Sequence, residues 1–249
     1  MSLRSPVIFG IRRGQKSARS CAAVSLGKAM DRGKWSFPEK TALSGRYIEL
    51  QPLSALHLDD LWMCAKDAPD SFTYLRYGPF DDREDLKSLI ADLSSRDTQP
   101  FWAVIGPSGR AEGWLSICDV YQDYGAFEIG SIWFSPALQG SREAREAIFL
   151  LMCLGMDGLQ YERLVWRCQA QNARSFRAAL NLGFTHEGTW RRAMIIKNWQ
   201  RDVAWFSIVR DEWPLCRDAF EKWLNPENFD AQGRQIVRLQ GFRSGADDG

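Results

Sequence analysis

From Tyr47 to Leu53 apolar and polar residues alternate, the pattern of a half-buried strand. Ser54 follows as a cap for a helix through Leu56, Leu58, Leu61 and Trp62. Asp81, with Glu84 three residues on, resembles a capping box ahead of Leu86, Leu89, Ile90 and Leu93. Three strand-like runs come next, Phe101 to Ile105, Ala111 to Val120 and Phe127 to Phe134. The turns Pro107-Ser108-Gly109 and Asp123-Tyr124-Gly125 between them predict an antiparallel meander. After Pro136 the period lengthens. Ala144, Ala147, Ile148, Leu151, Met152, Gly155 and Leu159 predict one helix over Arg142–Leu159. Arg163 to Cys168 is a short strand of the buried type, and Asn172 caps a helix through Phe176, Ala179 and Leu180 that stops at Gly183. Strands over Thr185–Ile196 and Val203–Val209 and a helix over Trp213–Leu224 complete an α+β domain spanning 45–225. Residues 226–249 read as a polar tail.

Composition narrows the function classes. With 45% apolar and 25% charged residues, the chain is of ordinary globular make-up. Its formal net charge of +1 gives no global field for nucleic acid or an acidic membrane. The longest apolar runs fall short of the roughly 18–20 residues that span a bilayer. The 6 cysteines form no CxxC pair and the 2 histidines, His57 and His186, lie far apart, so no metal site is expected. Scattered cysteines suit a reducing, cytoplasmic setting. Residues 1–44 differ from the rest. Up to Met30 they carry Arg4, Arg12, Arg13, Lys16, Arg19 and Lys28 and no acid. That composition fits a disordered basic extension or, alternatively, a mitochondrial presequence.

The stretch from Glu128 to Glu146 holds the most chemistry: a strand, a Pro-containing loop and a helix start. Such a junction presents amides without intrahelical partners at the positive end of a helix dipole, where main chain alone can hold a pyrophosphate. Strand–loop–helix junctions are common, so this signal is weak when alone.

Four ordered segments strengthen it: Gly-Arg-Tyr-Ile-Glu-Leu-Gln-Pro-Leu at 45–53, the Glu128–Glu146 junction, Asn172-Ala-Arg-Ser175 and Leu182-Gly183-Phe184. Arg201-Asp202 leading to Glu212-Trp213 adds a fifth. Together they resemble the GNAT acetyltransferase superfamily, in particular the branch of ribosomal-protein N-terminal alanine and serine acetyltransferases. The resemblance implies a mostly antiparallel sheet flanked by helices, with a V-shaped splay between two central strands. It also implies acetyl-CoA as acetyl donor and an amine as acceptor, a small molecule or a protein N-terminus, in a monomer or homodimer.

On the superfamily pattern Q/R-x-x-G-x-G/A, the pyrophosphate would lie on Gln139, Gly140, Ser141, Arg142, Glu143 and Ala144. Arg142 stands where the pattern has its middle glycine; its guanidinium either reaches a phosphate oxygen or points to solvent. Trp133 and Phe134 would hold the pantetheine arm with main chain, and Asn172 its amide. Glu128 is the candidate base, the alternative being a structural glutamate paired with an arginine. Many superfamily members protonate the departing thiolate with a tyrosine at the position of Ala179; Ser175 is the candidate substitute. Tyr74, Tyr77, Trp190 and Trp199, in or near the loops Asp67–Pro79 and Met194–Arg201, are candidates to line an acceptor pocket. A non-catalytic acyl-CoA-binding module on the same fold is the second reading.

Overall fold

The computed structural model describes residues 27, 29 and 33–244. The chain divides into Met1–Gly33 and Lys34–Gly249, and the fold below is that of the second unit. The expected presequence falls almost wholly outside the described residues.

The strands are β1 (Leu43–Ser44), β2 (Glu49–Pro52), β3 (Phe101–Ile105), β4 (Ala111–Tyr121), β5 (Ala126–Phe134), β6 (Arg163–Gln169), β7 (Thr185–Ile196) and β8 (Trp199–Val209). They form an 8-stranded sheet in the order β1-β2-β3-β4-β5-β6-β8-β7, antiparallel at every junction but β5–β6. The helices are α1 (Leu58–Ala65), α2 (Arg83–Ser95), α3 (Arg142–Cys153), α4 (Ala173–Leu182), α5 (Trp213–Trp223) and α6 (Gly241–Ser244). Strand alternation divides the apolar residues between two cores. One gathers Leu61, Leu86, Ile90, Trp114 and Trp133 beneath α1 and α2. The other joins Leu115, Phe127 and Ile129 to Leu151 of α3 and Phe220 of α5. The expected α+β architecture is present.

Four expectations change in detail. Asp82, not Asp81, caps α2: its carboxylate accepts from the Asp85 amide at 2.9 Å. The helix expected through Leu159 is α-helical only to Cys153, and a π turn over Leu154–Gly158 ends it. Gly155 lies so close to the Phe127 ring that a Cβ there would come within 2.0 Å of it. The fold also begins before residue 45. Trp35 is buried and its indole N–H donates to the Gln160 carbonyl, at 2.7 Å. Nor is the polar stretch after residue 225 a mere tail, for Leu239 enters the core and Asn228 is buried between the carbonyls of Trp223 and Val237. Patterning alone misses both ends because their anchoring apolar residues are isolated.

Two devices seat the strand–helix junction. Glu146 of α3 is buried and accepts from the amides of Arg46, Tyr47 and Ile48 at 2.8, 2.7 and 3.0 Å, fastening the helix to the turn before β2. In the loop, Leu138 is buried, Ser135 Oγ accepts from the Leu138 amide at 3.2 Å, and Gly140 turns the chain with φ 74°.

Candidate active site

β5 and β6 pair only at Ala126↔Arg163, Phe127↔Leu164 and Glu128↔Val165. Further on, β5 stays with β4 (Gly113↔Phe134) while β6 stays with β8 (Gln169↔Val203). The two strands therefore part like a V, with Glu128 at the vertex. A bulge steers the parting. The register with β4 shifts between Trp114 and Ser116, and Ser131 takes φ 51°. The bulge is pinned on three sides: Tyr77 Oη donates to the Ser131 carbonyl (3.2 Å), Gln99 Nε2 to Ser131 Oγ (3.0 Å), and Ser116 Oγ to the Gly130 carbonyl (2.9 Å).

A cavity of about 360 Å³ opens in the fork, with Glu128, Ile132, Arg167, Gln169, Asn172 and Ser175 in its wall. Glu128 is 6% exposed and its Oε2 accepts from Arg167, which also reaches Asp119. Burial pushes the Glu128 carboxyl up to about 8, against the positive charge of Arg76. The contact with Arg167 works in the opposite sense and favours the carboxylate. The upward direction stands, because this guanidinium is divided between two acids and burial also disfavours its own charge. A carboxyl of this kind exchanges a proton near neutral pH.

Across the fork, Asn172 Oδ1 accepts from the Ser175 amide at 3.1 Å and so caps α4, while both residues line the cavity. Ser175 Oγ accepts from the indole N–H of Trp166 at 3.1 Å, which leaves its hydroxyl hydrogen to be donated. Gln169 Oε1 is buried and meets no donor among the described residues. Ala179, in place of the family's tyrosine, is fully buried in the core.

At the loop between β5 and α3, Ser141 Oγ accepts from the Ala144 amide at 3.0 Å, so these two groups satisfy each other. Among the described residues the amides of Gly140, Arg142 and Glu143 donate to no protein group. The Arg142 guanidinium does not point simply to solvent. It lies over the rings of Tyr47 (3.9 Å) and Phe229 (4.9 Å) and pairs with Glu143 at 3.1 Å. Gln139 Nε2 donates to the Phe134 carbonyl at 3.0 Å and closes the loop.

Trp133 needs the largest correction. Its side chain is buried against Phe72 and Trp114, and its indole N–H donates to Ser71 Oγ. The Ser135 amide bonds the Glu112 carbonyl on the β4 side, so by strand alternation the main chain of Trp133 faces β4 too, and that of Phe134 faces the fork. Of the pair, Phe134 alone turns its main chain to the fork, and both lie outside the cavity wall. Of the four aromatic residues expected around an acceptor, Tyr74 and Tyr77 line the cavity. Trp190 packs at a tilt against Trp205 (4.4 Å) beside a separate hollow, and Trp199 is 72% exposed.

Sequence reading passed over Arg167 and Gln169. An arginine inside a strand of otherwise buried type was a usable signal, since a charge there needs an acid nearby; Gln169 carried none. A slot bordered by unpaired strand edges, an unmatched buried acceptor at Gln169 and three uncommitted amides at the helix start fit a ligand with an amide-bearing arm and a diphosphate.

Comparison with known proteins agrees with this geometry. Residues 48–185 match the family model described as an acetyltransferase (GNAT) domain. A GCN5-related N-acetyltransferase from Brucella melitensis is 38% identical, covers 86% of this chain and 99% of its own, and superposes with a TM-score of 0.84. A GNAT-family structure from Chromobacterium violaceum is 34% identical over 78% of this chain and 98% of its own, with a TM-score of 0.71. The N-acetyltransferase YnaD of Bacillus subtilis, described as uncharacterized, is 23% identical over 56% of this chain and 81% of its own. A fork with an acid at its vertex, an open set of amides at the helix start and a family match over more than half the chain lead to one conclusion: the chain belongs to the GNAT family and is an acetyl-CoA-dependent acetyltransferase.

Proposed function

We propose that the chain passes the acetyl group of acetyl-CoA directly to a primary amine within the fork of β5 and β6, a protein N-terminus being one candidate acceptor. The observation that carries this reading is the position of Glu128, at the vertex of the fork and in the cavity wall. Acetyl-CoA supplies an activated thioester carbonyl and a thiolate leaving group. The amides of Gly140, Arg142 and Glu143 would hold its diphosphate, and the Phe134 amide and Gln169 Oε1 its arm. Glu128 takes the proton that the amine nitrogen loses as the new C–N bond forms and the C–S bond breaks. Ser175, with Trp166 donating to its oxygen, returns a proton to the departing sulfur. The proton held by Glu128 then restores the Ser175 hydroxyl through solvent, so one proton has passed from nitrogen to sulfur and the exchange balances.

Steady-state rates measured over a grid of acetyl-CoA and amine concentrations test the direct route. Intersecting reciprocal plots, with one CoA released per acetylated amine, are expected. Parallel plots, or an acetylated protein that later passes its acetyl group to amine, would overturn it.

A further inference from the structure

One corner of the cavity carries cations that the transfer leaves unpaired, although the charge of Arg76 also acts on Glu128. Arg201 of β8 lines the cavity at 4% exposure, its Nε buried without a hydrogen-bond partner among the described residues. Among the described residues its Nη1 alone is engaged, on the Tyr74 carbonyl at 3.2 Å. Arg76, exposed in the cavity wall, makes no hydrogen bond or ion pair among the described residues. Lys197 adds a third cation beside them. It donates to the carbonyls of Phe72 and Tyr77 at 3.2 Å, and the charge of Arg201 helps to lower its pKa, after burial. The carboxylates in the cavity wall are Asp119 and Glu128, and both are on Arg167.

A buried guanidinium with one carbonyl and no acid as partner is costly unless something anionic completes it. Its place matters as well. Tyr74 and Arg76 belong to the loop between α1 and α2, which pack on the sheet face opposite α3, and Arg201 of the β7–β8 hairpin meets that loop at Tyr74. We infer that the acceptor amine carries an anionic group, a carboxylate or a phosphate, received by Arg201 and Arg76. Arg201 then acts as the fixed fork of the site, because neighbours hold it, and Arg76 as a cation free to close over the bound group.

Because this acceptor class rests on the proposed transfer, binding is measured apart from turnover. The full chain, saturated with CoA, is titrated calorimetrically with matched amines: an amino acid, its amide, its aminophosphonate and an uncharged peptide amide. Sets are built on small, aliphatic and aromatic side chains. In at least one set an anionic member is expected to bind about tenfold or more tightly than its amide. Arg201→Gln and Arg76→Gln should each remove most of that preference while CoA binding is unchanged, and Arg201→Lys should retain part of it. Preference for the amino acid assigns a carboxylate, and preference for the phosphonate assigns a phosphate. Equal or undetectable binding of anionic and neutral members in every set overturns the inference. So does loss of CoA affinity in Arg201→Gln with the preference intact, which would move the arginine to the donor. Acetyl-CoA in place of CoA then reads transfer: an anion preference without acetylated product would sink the proposed reaction and leave the anion site standing.

Discussion

Glu128 and Glu146 are buried alike, at 6% and 4% exposure, yet their surroundings differ. Glu146 accepts from three main-chain amides, so its charge is met by dipoles that only unfolding of the Arg46–Ile48 turn would remove. Glu128 accepts from a single guanidinium that it shares with Asp119, and it opens onto a cavity. One carboxylate has its hydrogen-bonding capacity filled by the backbone; the other keeps capacity for a ligand's proton. Burial alone does not separate these two acids. The number and kind of donors do.

The sharpest way to break this contrast is Glu128→Gln, for which kcat should fall about 10²–10³-fold with acetyl-CoA affinity unchanged. The pH profile tests the same point. A base works ionised, and burial raises this carboxyl to about 8, so kcat/KM should climb with pH and level off above that value. A profile flat from pH 6 to 9 in the unsubstituted protein would remove Glu128 from the reaction. Glu146→Ala should act the other way round. Three amides lose their acceptor, stability falls by about 3 kcal/mol in chemical denaturation, and kcat per folded molecule stays within about twofold. Equal losses of activity in both variants would erase the distinction. The smallest effect is expected of Arg142→Gly, about 1 kcal/mol of stability from the lost stacking, with the Kd for acetyl-CoA within about twofold. A large rise in that Kd would mean that the guanidinium, and not the amide, serves the phosphate.

Much of the fold was readable because the chain repeats its apolar residues at the period of each element. The meander, the helix start after Pro136 and the caps at Asn172 and Gly183 follow from local pattern. Asp82 displaced Asp81 because neighbouring acids both suit a cap, and only the entry angle of the chain chooses between them. Trp133 and Phe134 looked equivalent as consecutive aromatic residues, yet alternation sends one into the core and turns the other's main chain to the fork.

By itself the sequence determined the order of elements, the strand–loop–helix junction and the family resemblance, since each depends on residues close together in the chain. Tertiary structure decided where β5 and β6 part, which arginine meets Glu128, and that among the described residues Arg201 meets a carbonyl and no acid. The reason is physical. Periodicity tells which face of a segment is buried, but a charge takes its meaning from partners brought up by other segments. Glu128 meets Arg167 of β6, 39 positions on, while Arg201 meets the Tyr74 carbonyl, 127 positions away.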